Sequence, residues 1–146
     1  MNEEIYSLED IYKSLPSYQA STVKRLVEMY GEEKAAEYWL DSLGPKQTSH
    51  FGGNGTALVS QSPSYWQRCK TELDKLICGH PSWEDEHKKY ITVGKAITIG
   101  TAAAIAAAIA PVIGISTIVI TPAVELLLHS ISKVGFRAYC ANKSFE

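Results

Sequence analysis

AITIGTAAAIAAAIAPVIGISTIVITPAV, residues 96–124, is a run of 29 residues without a formal charge in a chain of 146. A hydrocarbon core roughly 30 Å thick needs about 20 apolar residues at about 1.5 Å each, so the run is long enough for a transmembrane helix. Small residues recur along it at four-residue steps. Gly94, Thr98, Ala102, Ala106 and Ala110 form one row, Gly100, Ala104 and Ala108 another, and Ile97, Thr101, Ile105 and Ile109 a third. In a membrane such rows let helix backbones approach closely, and packing drives association there. In a soluble bundle the same helix would need neighbours on nearly every side. The residues expected to carry this packing are Ile97, Gly100, Ala104, Ile105, Ala108, Ile109, Pro111 and Gly114.

Pro111 removes a backbone donor and crowds the preceding turn, so the helix must kink or end there. Two geometries follow. Residues 96–120 form one kinked span of 25 residues, just long enough to cross with some tilt. Otherwise residues 111–114 are the tip of a helical hairpin with two short legs.

Upstream, a helix can start after Ser82 with Glu84, Asp85 and Glu86 in its first turn and continue without a breaker to Ala110. Trp83, Lys88, Lys89, Tyr90 and Lys95 would then form a collar of aromatic and basic groups, of the kind a membrane–water interface selects. Downstream, Thr121 and Pro122 suggest a new helix start as cap and first residue. That helix carries Val124, Leu127, Leu128, Ile131, Val134 and Ala138 on one side, and Glu125, His129, Lys133 and Arg137 on the other. It suits a membrane interface or the cap of a soluble core equally, and His129 is expected to be solvated between Glu125 and Lys133. Lysine and arginine flank the apolar run about equally, so the positive-inside rule gives no orientation.

The front of the chain is different in kind. Residues 1–90 hold 10 Lys/Arg and 14 Asp/Glu, and residues 91–146 hold 4 and 2. An acidic, wettable region therefore precedes an apolar one, and no basic patch is dense enough to suggest nucleic acid. The acidic start MNEEIYSLED lacks the basic n-region of a signal peptide. Cys69, Cys78 and Cys140 are odd in number and widely spaced, so reduced thiols in a cytosolic setting are the expectation.

Short helices are expected here. Ser7 or Asp10 opens the first, which Pro16 stops. A second starts between Ser17 and Ser21, presents Val23, Leu26, Val27 and Tyr30, and ends at Gly31. A third opens on Glu32 and Glu33 and buries Ala35, Ala36, Trp39, Leu40 and Leu43 before Gly44-Pro45. A fourth, capped by Ser62 with Pro63 first, carries Tyr65, Trp66, Cys69, Leu73, Leu76 and Ile77 and ends at Gly79. The Gly-rich stretch 44–62 lacks the G-x-x-x-x-G-K-[ST] spacing of a phosphate loop and is expected to be a linker.

Motifs for chemistry are weak. Cys69, Cys78, His80 and His87 offer zinc ligands, but the cysteines stand nine apart, not in the close pairs of structural sites. Cys78 with His80, and Cys140 with His129, place nucleophile and base near each other in sequence without a third orienting group. No catalytic residue, metal or cofactor is assigned.

The expectation is thus an all-α chain: a soluble helical region at 1–80 with a Gly-rich loop at 44–62, and a hydrophobic helical region at 81–146. The function expected is that of a small membrane-associated effector whose Ala/Gly-rich segment self-associates and anchors to or perturbs a bilayer. Its partners would be a lipid bilayer, further copies of itself and a protein received by residues 1–80, with the N-terminal region cytoplasmic. The competing expectation is a soluble cytoplasmic adaptor or oligomeric scaffold whose apolar segment is a core or subunit interface.

Overall fold

The computed structural model describes residues 6–43, 64–91 and 97–141. Every regular element among them is helical: α1 (Leu8–Ser14), α2 (Ser17–Tyr30), α3 (Glu32–Leu43), α4 (Tyr65–Cys78), a 3₁₀ turn (Pro81–Trp83), α5 (Glu84–Tyr90), α6 (Ile99–Ile113), α7 (Thr117–Val134) and α8 (Phe136–Ala141). The all-α class is as the sequence suggests. The Gly-rich stretch 44–62, Lys95 and the side chain of Leu43 lie outside the described residues.

Local chemistry fixes most of the boundaries. Ser7 Oγ accepts from the Asp10 amide at 3.1 Å while the Asp10 carboxylate accepts from the Ser7 amide at 3.1 Å, a reciprocal capping box. Leu15, before Pro16, is extended and ends α1. Ser64 and Gln67 build a second capping box at the start of α4, so Ser64 takes the capping role that the sequence suggested for Ser62. Thr98 Oγ1 accepts from the Thr101 amide at 3.0 Å and opens α6. Replacing Thr98 by Ala is expected to cost about 1 kcal/mol, measurable as a lower denaturant midpoint with unchanged slope.

The uncharged run folds as a hairpin, not as one kinked span. α6 passes through Pro111 because that residue falls in its last turn on the exposed face, where water can serve the carbonyl left without a donor. The break comes at Gly114, whose φ of +81° is open to glycine at little cost. Both the Gly114 and Ile115 amides return to the Ala110 carbonyl, at 2.9 and 3.1 Å.

α7 then starts at Thr117, five residues earlier than a cap at Thr121 with Pro122 first suggests, and Pro122 lies inside it. The proline has no N–H for the Ile118 carbonyl. Gln19 of α2 donates to that carbonyl through Nε2 at 3.4 Å, and Trp39 of α3 donates through Nε1 to the neighbouring Val119 carbonyl at 2.6 Å. Side chains from the front helices thus occupy backbone acceptors beside the proline.

α7 is the axis of the fold. It packs against α1, α3, α6 and α8, while α2 lies on α3 and α4 touches α3, α6 and α8. Residues 122–128 are buried without interruption, as befits a helix surrounded by others. One apolar cluster joins Ile11, Val23, Trp39 and Leu40 from the front helices to Leu73, Leu76 and Ile77 of α4 and to Ile105, Ile109, Leu126 and Leu128 of the hairpin.

Some faces turn out otherwise than the periodicity suggests. Tyr30 is exposed at the end of α2, with its ring edge-on to Tyr38 at 4.6 Å. The helix expected to run unbroken from Ser82 to Ala110 stops at Tyr90, and α6 begins separately at Ile99. The final helix does not reach Ala138. Gly135, at φ +98°, ends α7, and α8 turns back onto α4.

Candidate functional site: the hairpin surface and the pinned end of α7

Of the eight residues expected to pack the apolar segment, the structure divides inside from outside. Ile97, Ile105 and Ile109 are buried in the chain's own core. Ala104 and Ala108 are half-buried, and Gly100, Pro111 and Gly114 are exposed. Four-residue spacing puts Gly100, Ala104 and Ala108 along one side of α6, and Ala107, Pro111 and Val112 continue the outward surface to the tip.

The tip is uncharged and open, with Gly114, Ser116 and Thr117 exposed along it. Val112 is 57% exposed and Ile118 62%, with Ile115 half-buried between them. Arg68 of α4 reaches the tip and donates from Nη1 to the Ile113 carbonyl at 3.2 Å, its guanidinium 6.0 Å from the centre of the Tyr65 ring. On the other flank Gln19 holds the Ile118 carbonyl, and its neighbour Tyr18 is 71% exposed. An uncharged end is therefore flanked by Arg68 with Tyr65 on one side and by Gln19 on the other.

The collar suggested by the sequence sits elsewhere. Trp83 is buried, its Nε1 donating to Glu72 Oε1 at 2.8 Å. Lys88 pairs with Glu84 at 3.2 Å and Lys89 lies over the Tyr90 ring at 5.4 Å. These groups sit on α5 and the 3₁₀ turn before it, both packed against α4.

Length bears on whether the hairpin crosses a membrane. α6 has 15 residues and α7 has 18, or roughly 22 and 27 Å against a core of roughly 30 Å. α7 is the one described helix long and apolar enough to span by composition, yet half of it is buried inside the fold. In this structure α7 is a core helix.

Its ionisable groups, Glu125, His129 and Lys133, lie away from the tip. Glu125, expected on a solvated face, is 1% exposed. Its Oε1 lies 3.5 Å from Ser14 Oγ, while the Tyr6 hydroxyl donates to the Glu125 backbone carbonyl at 2.7 Å. Burial pushes the carboxyl up to about 7, against a small opposing contribution from Ser14. Burial, with Glu125 and Glu32 nearby, likewise raises the Tyr6 phenol far above its ordinary value.

One turn on, His129 is half-buried, not solvated, and donates from Nδ1 to Glu32 Oε1 at 2.7 Å. The other Glu32 oxygen takes Lys133 at 2.5 Å. Glu32 thus ties α3 to the second half of α7 as Trp39 ties it to the first.

Comparison with family models, curated proteins and solved structures returned no match. The site must be judged on its own chemistry.

The potential zinc ligands are engaged separately. Cys69 is buried in the core, where burial pushes its thiol up to about 12. His87 donates from Nδ1 to the Leu76 carbonyl at 2.9 Å, and His80 Nδ1 accepts from the Ser82 amide at 3.0 Å. Cys78 is bonded to Cys140 at 2.02 Å, which overturns the expectation of reduced thiols. The sequence hides this pair, 62 residues apart, because only the reversal at Gly135 brings α8 onto the end of α4.

A shallow cleft of about 80 Å³, lined by Glu33, Lys70, Leu127, Ser130, Ile131, Val134 and Tyr139, lies beside α8. It is far below the roughly 300–1,000 Å³ of small-molecule sites. The surface of the hairpin is the larger feature.

Proposed function

We propose that this chain anchors to a lipid bilayer through the α6–α7 tip and self-associates along the Gly100–Ala104–Ala108 side of α6, with the front helices receiving a protein partner. The observation that carries this reading is the exposed surface of the hairpin from Gly100 to Ile118. It has no charge, and it ends in two largely exposed β-branched side chains, Val112 and Ile118. Contiguous exposed apolar surface marks a membrane or protein contact. Tyr65 and Arg68 stand beside the tip as groups suited to the headgroup zone, and the small side chains along α6 permit close helix approach. Exposed Met29, Tyr30 and Tyr38 on α2 and α3 give the front a surface of its own.

A second reading, a soluble adaptor or scaffold, is favoured by the burial of α7. In it the outer side of α6 is a subunit interface.

Sedimentation with sucrose-loaded phosphatidylcholine/phosphatidylglycerol vesicles separates the two. The full chain is expected to pellet with vesicles, and Val112→Asp with Ile118→Asp is expected to weaken partitioning 10- to 100-fold. Burying a side chain of this size is worth about 1.5–3 kcal/mol, and both are exposed, so thermal unfolding should hardly change. Equal partitioning of the double variant removes the tip from the reading. A discrete oligomer that ignores vesicles and dissociates on Ala104→Leu with Ala108→Leu establishes the scaffold instead.

A further inference from the structure

The Cys78–Cys140 bond joins the last residue of α4 to the six-residue α8 and encloses α5, α6 and α7 in its loop. α8 has no fully buried residue and follows Gly135 at φ +98°. A helix of six residues is too short to persist in water without support. Its polar attachments to α4 include Tyr139 Oη to Asp74 Oδ1 at 2.6 Å and Lys70 Nζ to Tyr139 Oη at 3.4 Å. Beneath it, Leu127 and Ile131 of α7 line the cleft that Tyr139 closes on one side.

We propose that Cys78–Cys140 is a redox latch: oxidised, it clamps α8 to α4 over the Leu127–Ile131 face of α7, and reduction by a dithiol releases α8 and uncovers that face. The thiolate of the dithiol attacks one sulfur, forming a mixed disulfide as the Cys78–Cys140 bond breaks and the other sulfur leaves as a thiolate. The second thiol of the reductant then displaces the remaining cysteine. Two electrons pass to the protein, Cys78 and Cys140 become thiols, and the reductant becomes a disulfide. Both cysteines are half-buried, not sealed in the core, whereas Cys69 is fully buried. α8, like α5, has no buried residue of its own, and the bond is the covalent tie that holds it to α4.

Hydrogen exchange of the full chain, with and without dithiothreitol, tests the latch. Amides of residues 136–141 are expected to exchange at least tenfold faster after reduction, while residues 122–128 change less than twofold. Iodoacetamide should then label Cys78 and Cys140 but not Cys69. Cys140→Ser should reproduce the reduced pattern without reductant, with circular dichroism confirming that the bundle is folded. Unchanged exchange in α8 after complete reduction would show that Tyr139 and packing suffice to hold it, and would overturn the latch. Uniform acceleration across α3, α4 and α7 would overturn it too, since the bond would then be a staple of the whole fold.

Discussion

Glu125→Gln is expected to abolish most of the pH dependence of stability between pH 5 and 8 and to make the protein more stable than the wild type at pH 8 by about 3 kcal/mol. The carboxyl is 1% exposed at the centre of α7, and burial raises it to about 7 from an ordinary 4.5. The folded state therefore holds a proton that the unfolded chain releases near pH 4–5. The native advantage is complete below the unfolded value and is lost as pH rises through about 7. Each unit of displacement corresponds to about 1.4 kcal/mol, which sets the magnitude.

The groups around Glu125 explain why only Ser14 opposes this. Ser14 approaches the carboxyl and Tyr6 the backbone carbonyl from the N-terminal side, while His129 and Lys133 are turned to Glu32. Glutamine keeps the shape and removes the charge. Urea unfolding at pH 5, 6, 7 and 8 is the measurement, and a wild-type slope that persists in the variant would assign the effect to another group.

Glu125 also shows where sequence legibility stopped. Its four-residue step to His129, Lys133 and Arg137 reads as a polar face, and Lys133 and Arg137 are indeed exposed. What the period cannot show is that α7 lies on the fold's axis, where every side of residues 122–128 meets another helix. Caps and stops were far more legible because they are local: Ser7 with Asp10, Pro16, Gly31 and Gly79 act within one turn of chain. Thr121-Pro122 misled for the opposite reason. A proline at the sixth position of a helix normally costs about 3 kcal/mol, and it is tolerated here through Gln19, about a hundred residues away. The hairpin tip at Pro111 to Gly114 was legible as one of two geometries, and the positive φ at Gly114 decides between them. Cys78 and Cys140 were legible as residues but not as a pair.

Trp39→Ala is expected to cost about 3–5 kcal/mol, the largest single effect in the bundle, and Trp39→Phe about 1–2 kcal/mol. Trp39 is 3% exposed and is both a large apolar filler between α3 and α7 and the donor to the Val119 carbonyl. Alanine removes both roles and leaves a cavity. Phenylalanine keeps most of the buried ring and deletes the donor, so its cost reports the carbonyl left behind. The position matters because Val119 stands between the tip and Pro122, where the helix cannot supply all of its own donors. Hydrogen exchange at residues 119–121 should therefore accelerate in Trp39→Phe more than at residues 124–128. Denaturant midpoints for the two variants then separate packing from pinning. Equal losses would assign most of the effect to the hydrogen bond, and a neutral phenylalanine would show that the Val119 carbonyl finds another donor. If the intermediate loss is found, α3 is what keeps the first turns of α7, and with them Ile118, in place at the exposed tip.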